Sequence, residues 1–475
     1  MSLLGLNRRQ ALKVSACGFG HLALSGLLNG KVTAAPANPL AARQPHFPPR
    51  AKRVIFLFMQ GGVSHVDSFD YKPLLAKKNG QTLAFDDARV IAKTGKRGSS
   101  QKLMKELWKF RQRGECGRWA SDLFPEMAQH VDKMCMLHSM HTTGVAHGPA
   151  TLFLHCGATN FVRPSMGSWI NYGLGSENDD LPGFISIGPS PGNGGARNYG
   201  TAFLPPVYQG TPLGSAGKPA ADTTIRDLVN RRYELHQQQE QFELLRALNA
   251  EQLKRNPADA DLEAVVSSLE LAWRMQNNAP DVLDFSNESA ATLKMYGVDE
   301  KETNDFGRQC LMARRFCEAG VRYIQVTYGD GSPNPAWDQH SNMPEHAKHA
   351  RRVDKPIAAL LTDLQQRGLL EDTILWWGGE FGRTPYAQDN GTGRDHNPDG
   401  FTVWLAGGGV KSGYAYGETD EFGHKAVKNK THMHDLHATI LHLLGIDHER
   451  LTYRYSGRDF RLTDVHGRVV KDIIA

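Results

Sequence analysis

The sequence predicts an α/β fold built on one large, buried central sheet. Three observations lead there. Short, mostly apolar runs have strand length: Val54 to Met59, Met134 to Met140, Phe184 to Ile187, Val321 to Tyr328, Ile374 to Trp377 and Phe401 to Ala406. In the C-terminal half these runs alternate with helical patterns, the rhythm of an α/β chain. Several runs also break into glycine and then deliver acids or imidazoles, and ligands in α/β sheets collect outside the carboxyl ends of strands.

The elements follow in order. Asn7-Arg8-Arg9-Gln10-Ala11-Leu12-Lys13 resembles a twin-arginine export signal, and Val14 to Leu28 is mildly apolar. Small residues near Thr33 to Ala37 suit a signal peptidase, so residues 1–37 read as a signal peptide of a periplasmic or secreted protein. The apolar segment is short and holds glycines and a histidine, which makes it a poor membrane anchor. No integral membrane segment is expected in the mature chain. Residues 38–50 are Pro- and Ala-rich and read as an extended linker. The remainder, 51–475, reads as the folded domain. Strand Val54 to Met59 breaks at Gly61-Gly62, with Asp67 and Asp70 just beyond. Residues 74–118 are polar and basic and read as a surface excursion over the sheet end. Asp122 to Val131 has a helical pattern, and strand Met134 to Met140 runs into His141 and His147. Gly188 to Gly217 is a Gly/Pro-rich loop, long enough for a lid or rim.

From about residue 222 to 300 the composition changes to Gln, Glu, Arg and Leu. Leu244, Leu245 and Leu248, then Leu262, Val265, Val266 and Leu269, recur at helical spacing, so this is a helical insertion packed beside the sheet. A helix from Asp305 to Glu318 ends at Gly320. Strand Val321 to Tyr328 leads to Asp338 and His340. A helix from Glu345 to Arg367 holds Pro356. Strand Ile374 to Trp377 breaks at Gly378-Gly379 and is followed by Glu380, Arg383, Asp395 and His396. After strand Phe401 to Ala406, Thr431 is placed to cap a final helix through Leu444. The tail suggests a hairpin about His466-Gly467.

Composition bounds the partners. The formal charge is +5, but Arg8, Arg9, Lys13 and Lys31 carry four of those positives ahead of Ala37, leaving about +1. That is no footprint for nucleic acid. Of six cysteines, five lie beyond the signal, with no C-x-x-C spacing, so neither a zinc knuckle nor a disulfide framework follows.

Ten of the 20 histidines lie between His340 and His448. Four strands are followed by acids or imidazoles: Asp67 and Asp70, His141 and His147, Asp338 and His340, and Glu380 with Asp395 and His396; His432, His434 and His437 open the last helix. Mixed carboxylates and imidazoles suit zinc, manganese or iron, or a mixed pair with calcium or magnesium. Taken singly, each has a plainer reading: Asp338-x-His340 as a surface loop, His434 and His437 as polar residues of a helix start, Glu380 as a partner of Arg383. Repetition at four strand ends favours the metal reading. No G-x-S-x-G elbow, Walker loop or G-x-G-x-x-G follows a strand, which lowers the case for serine esterases, P-loop enzymes and classical dehydrogenases.

These residues carry a resemblance. RVIFLFMQGGVSHVDSFDYKP, HGPATLFLHCG, WDQHSN, TILWWGGEFGRTP, GRDHNPDGFTVWLAGGG and HMHDLHATILHLLGIDHERLTY closely resemble the family called "domain of unknown function 1501", a sulfatase-like branch of the alkaline phosphatase superfamily. The resemblance makes residues 51–475 a sulfatase-like α/β domain. It implies an alkaline phosphatase/sulfatase-like mixed central sheet between helix layers, with one or two divalent ions at the strand ends. Zinc, calcium, magnesium or manganese would all be compatible. Glu380 would stand where sulfatases have a metal-binding Asp. Asp338 and His340 resemble an Asp and His pair of the phosphatases. His432 and His434 fall near a metal-binding His. The superfamily Asp of strand one falls near Gln60, leaving Asp67 as the substitute.

His147 falls on the nucleophile position, where no Ser, Thr or Cys stands. Either His147 is a ligand and metal-bound hydroxide attacks, or His147 itself is the nucleophile, or Thr142, Thr143 or Thr384 serves. The first is favoured, because a metal lowers the pKa of bound water to about 7. Arg383 would neutralise a sulfate or phosphate oxyanion. The expected activity is hydrolysis of a small-molecule or polysaccharide sulfate or phosphate ester. The alternative is a non-catalytic, metal-stabilised binding or cell-envelope protein on the same fold.

Overall fold

A computed structural model describes residues 39–85, 100–223, 233–255, 260–332, 334–388 and 391–475. The expected signal peptide, residues 1–37, lies outside the described residues. Leu40–Ala475 forms one compact unit.

Nine strands make the central sheet. In chain order they are β1 Arg53–Met59, β2 Met134–His141, β3 Phe184–Ile187, β4 Thr211–Leu213, β5 Tyr323–Tyr328, β6 Thr373–Gly378, β7 Phe401–Ala406, β8 Tyr414–Tyr416 and β9 Thr431–His432. Their spatial order is β8-β2-β7-β6-β1-β5-β3-β4, with β9 also paired to β2. β1 lies parallel to both β6 and β5, while β7 runs antiparallel to β6 and β2. The sheet is therefore mixed, as expected. Every residue of β5, β6 and β7 is buried, so both faces are covered. Phe56 pairs in register with Trp376, and their rings stack at 3.7 Å between centroids. Such a pair adds roughly 0.5–1.5 kcal/mol beyond area burial.

The main helices are α1 His147–Cys156, α2 Met166–Leu174, α3 Leu235–Arg255, α4 Ala260–Leu283, α5 Asn304–Glu318, α6 Glu345–Gln366 and α7 Met433–Leu443. Gly320, at φ 83°, ends α5: its N–H bonds Cys317 and the Val321 N–H reaches Phe316.

Several expectations change in detail. Residues 122–131 are not an α-helix; a 3-10 helix, Met127–Lys133, forms there, its start held by the Asp354 carboxylate accepting the Glu126 and Met127 N–H groups at 2.7 and 2.8 Å. The Gly/Pro-rich loop contributes β4 to the sheet edge instead of standing free as a lid. His432, not Thr431, caps α7, because the Asp435 side chain returns a bond to the His432 N–H. The tail hairpin lies earlier, Tyr453–Tyr455 against Arg458–Phe460. Its two-residue turn, Ser456-Gly457, has φ of 46° and 83°, the positive values a tight hairpin requires.

Residues 39–50 run extended but do not dangle: Arg50 and Ala51 donate to the Leu443 carbonyl, and Arg43 bonds the Tyr172 carbonyl. Within the stretch expected to be helical, α3 and α4 form, and Phe242 of one stacks on Trp273 of the other at 5.4 Å. Leu244 and Leu248 of α3 are 62% and 60% exposed, so the apolar repeat there does not face the sheet. All described cysteines are free thiols.

Among the described residues several imidazoles are built into the interior. His65 and His155 have their pKa pushed down to about 4, and His437 to about 3, by burial. Folded, they stay neutral; unfolded, they take protons near pH 6.5. Below that pH the unfolded chain binds more protons, so their contribution to stability is lost as pH falls from about 6.5 towards 4. The urea midpoint should therefore drop clearly between pH 7.5 and pH 5. A midpoint that stays flat over that range would contradict the burial of these rings.

Candidate metal centre

The site forms where four chain segments meet at the carboxyl ends of β1, β5 and β6. The Gly61-Gly62 turn ends β1. Gly61 has φ 115°, and a Cβ there would stand 2.8 Å from the backbone nitrogens of both Trp337 and Asp338. Only glycine allows that approach. It brings the loop after β5, with Asp338 and His340, against the end of β1. His147 is the first residue of α1. His396 lies on Gly393–Asn397, which pairs antiparallel with Gly382–Gln388 just after β6.

His147, Asp338, His340 and His396 present ligand atoms within 4.8 Å of one another. Asp338 Oδ1 lies 3.1 Å from His147 Nε2, 2.8 Å from His340 Nε2 and 3.3 Å from His396 Nε2. The two ring atoms His340 Nε2 and His396 Nε2 are 3.0 Å apart. Each imidazole is bonded through its other nitrogen. His147 Nδ1 donates to Glu380 Oε1 at 2.6 Å, His396 Nδ1 donates to the Val145 carbonyl at 2.9 Å, and His340 Nδ1 donates to Gln388 Oε1. With Nδ1 carrying the proton, Nε2 carries a lone pair. Three lone pairs and a carboxylate oxygen thus converge on one point. His147 Nε2 is buried and faces the Asp338 carboxylate at 3.1 Å. A divalent ion fits this donor set: three nitrogens and one oxygen, each anchored from behind.

The electrostatics agree. Burial raises the Asp338 carboxyl, but Arg383 at 2.8 Å and the three imidazoles outweigh it and hold Asp338 well below the usual carboxylate range. Burial alone would lower His147, yet hydrogen bonds to Asp338 and Glu380, with their charges, hold it above the ordinary imidazole value. Burial drops His396 to about 3. A proton and a cation therefore compete for the same face of His147. His340 is the most accessible of the four, with its side chain 30% exposed. The Phe381 ring stacks on His396 at 4.4 Å and shields one side.

The remaining candidates go elsewhere. Glu380 is one layer back: it touches the ring of His147, and both its oxygens accept the Gly61 N–H, at 3.0 and 3.1 Å. Arg383 does not face an open site. It is fully buried, and its guanidinium donates to the Gly61, Gly62, Trp337 and Arg394 carbonyls and to Asp338. The oxyanion role expected for it gives way to a clamp across the strand ends.

Asp67 does not reach the cluster either. It pairs with Arg394 at 2.7 Å, both side chains fully buried, and accepts the Leu107 N–H and the Ser64 hydroxyl. His432 and His434 sit at the start of α7 in a separate group. His432 is 5.0 Å from His141 between ring centroids, and His434 is 5.3 Å from His466. His434 Nε2 is spent on the Gly157 carbonyl. Of the threonines, Thr384 donates to the Tyr386 carbonyl and Thr143 contacts His432. Thr142 is buried, with its backbone N–H on the Pro398 carbonyl.

Residues 51–474 match the family described as "Protein of unknown function (DUF1501)". The chain belongs to that family. No curated protein matches it at a significant level. Several solved structures are distantly similar to it. Ps i-CgsB in complex with k-i-k-neocarrahexaose is 8% identical, with 83% of this chain and 72% of that chain covered and a TM-score of 0.38. The PsFucS1 sulfatase from Pseudoalteromonas sp. is 12% identical, with 84% and 69% covered and a TM-score of 0.36. A protein in the alkaline phosphatase superfamily from Vibrio parahaemolyticus is 8% identical, with 88% and 71% covered and a TM-score of 0.33.

Three parts of the site are not singled out by the sequence reading: Gln388, the Val145 carbonyl and Arg394. A glutamine in a strand and a backbone carbonyl carry no signal of their own. Arg394 had one, since it precedes the Asp395-His396 pair, but its partner lies 327 positions away.

Proposed function

We propose that this chain is an exported, metal-dependent hydrolase of small-molecule or polysaccharide sulfate or phosphate esters, a sulfatase-like member of the alkaline phosphatase superfamily. One observation carries the reading: three imidazole lone pairs and the Asp338 carboxylate point at one spot, each ring locked from behind. One divalent ion would be held by His147, Asp338, His340 and His396. Three neutral nitrogens and a single carboxylate suit zinc better than calcium or magnesium, which take mostly oxygen ligands. When bound, such an ion supplies Lewis acidity and an activated water near neutral pH.

The chain's own residues do the rest. Asp338 supplies the negative charge. Arg383 fixes the orientation of Asp338. Phe381 excludes water on one side, and the exposed edge of His340 leaves the route for an anionic ester. Export rests on the Arg8-Arg9 pattern, and among the described residues no helix is long and apolar enough to cross a membrane.

A second reading has its own support. Among the described residues no cysteine joins the cluster, Thr384 and Thr143 bond elsewhere, and Arg383 is committed to backbone carbonyls and Asp338. That arrangement also suits a binding or cell-envelope protein stabilised by its metal. Metal analysis of the purified chain, with a panel of aryl sulfates and phosphate mono- and diesters, separates the two. One equivalent of metal with turnover of one ester class is the expected result. One equivalent without turnover favours the binding protein. No metal removes both readings.

A further inference from the structure

We propose that Glu380 is a positioning residue that sets the strength of the metal site through His147, and that it is not itself a ligand. The inference rests on the metal reading of the cluster and adds a role for a residue outside the four-ligand group.

The geometry argues it directly. Glu380 is fully buried, and it meets His147 at Nδ1, the nitrogen turned away from the cluster. The two nitrogens of an imidazole point outward on diverging lines. A carboxylate on Nδ1 therefore stands behind the ring while Nε2 faces Asp338 at 3.1 Å. Both Glu380 oxygens are also held by the Gly61 N–H, so the carboxylate cannot swing forward without breaking that anchor.

The three rings differ in what stands behind them. His396 has a backbone carbonyl, His340 a neutral amide in contact, with the Asp395 carboxylate farther off at 3.5 Å, and His147 a carboxylate in direct contact at 2.6 Å. Among the described residues His147 is the only ion-pair partner of Glu380. A buried anion that accepts an imidazole N–H pushes electron density through the ring onto Nε2. Partners of this kind raise ligand basicity and fix the tautomer, and losing one typically costs about 10–100-fold in metal affinity. His147 should therefore be the strongest of the three nitrogen donors, and the charge of Glu380 the reason.

The test uses the full chain. Cobalt(II) and zinc are titrated into wild type and Glu380→Gln in competition with a chelator, and the visible cobalt spectrum is recorded. Gln keeps an acceptor for His147 and Gly61 but removes the charge. The expected result is unchanged stoichiometry, affinity weaker by about 10–100-fold and a shifted cobalt spectrum. Equal affinity with an identical spectrum would overturn the proposal. So would loss of one coordinating oxygen in the X-ray absorption of the variant, which would make Glu380 a ligand.

If wild type itself binds no metal, the metal reading fails first, and that outcome is distinct. Should Glu380→Gln not fold, histidine-labelled wild type loaded with zinc gives the answer by NMR. A His147 ring bound through Nε2, with a far-downfield Nδ1 proton, supports the proposal. A ring bound through Nδ1 overturns it.

Discussion

His340→Ala should abolish tight metal binding while leaving the fold intact. His340 sits on the loop after β5, with its side chain 30% exposed, so little packing is lost. What is lost is one of four converging donors. Removing even a residue that supports a ligand costs roughly 10–100-fold in affinity, so removing a ligand should cost more than about 100-fold. Any ester hydrolysis should fall at least in proportion, because the activated water depends on the ion. Metal content per folded chain and thermal melting of the metal-free protein check this together. His432→Ala and His434→Ala are the controls: they belong to the separate imidazole group and should keep full metal content. If those two lose the metal and His340→Ala does not, the site lies at the start of α7 and not at the ends of β1, β5 and β6.

The second large effect concerns stability. Asp67→Ala should destabilise the fold by about 3–5 kcal/mol, the usual cost of stripping one partner from a buried ion pair. Arg394 and Asp67 are both fully buried, and Arg394 also donates to the Met104, Lys105 and Thr384 carbonyls. The variant would leave a guanidinium in the interior without its counter-charge. It would also loosen the excursion at residues 103–107 from the hairpin that carries His396. Chemical denaturation measures the loss, and metal analysis of the folded fraction should still show one equivalent. Full stability with loss of metal would restore Asp67 as a ligand.

Asp67 and Asp338 look alike in the sequence: both are acids following a buried strand and a glycine. One became half of a structural ion pair and the other the carboxylate of the cluster. The difference is the arginine each meets, and neither arginine is near in sequence. Arg394 pairs with Asp67 across the sheet end, and Arg383 touches Asp338 while spending its other donors on carbonyls. The expectation that Arg383 would meet an anion failed for the same reason: the crossing of β1, β5 and β6 ends leaves several carbonyls in want of a donor.

Much of the frame was legible. β3 and β7 begin and end where their apolar runs do, and β1, β2 and β6 within a residue, because strands buried on both faces must be apolar throughout. The glycine breaks were legible too. Gly61 and Gly378-Gly379 mark where chains approach too closely for a side chain. Less regular parts were not, since the helix reading of 122–131 could not foresee Asp354 arriving from α6 to hold a tighter turn.

By itself the sequence determined the α/β class, the strands, the family and the zone where His340, Glu380 and His396 would gather. Only the tertiary structure decided which of the gathered groups are donors and which stand behind them. Glu380 comes after β6 as directly as any ligand would, yet the Gly61 N–H and the far nitrogen of His147 hold it in the second layer. Local sequence decides where a strand ends and which residues come next. The direction of a side chain two residues past that end depends on the backbone groups it meets there, and these come from strands hundreds of residues away.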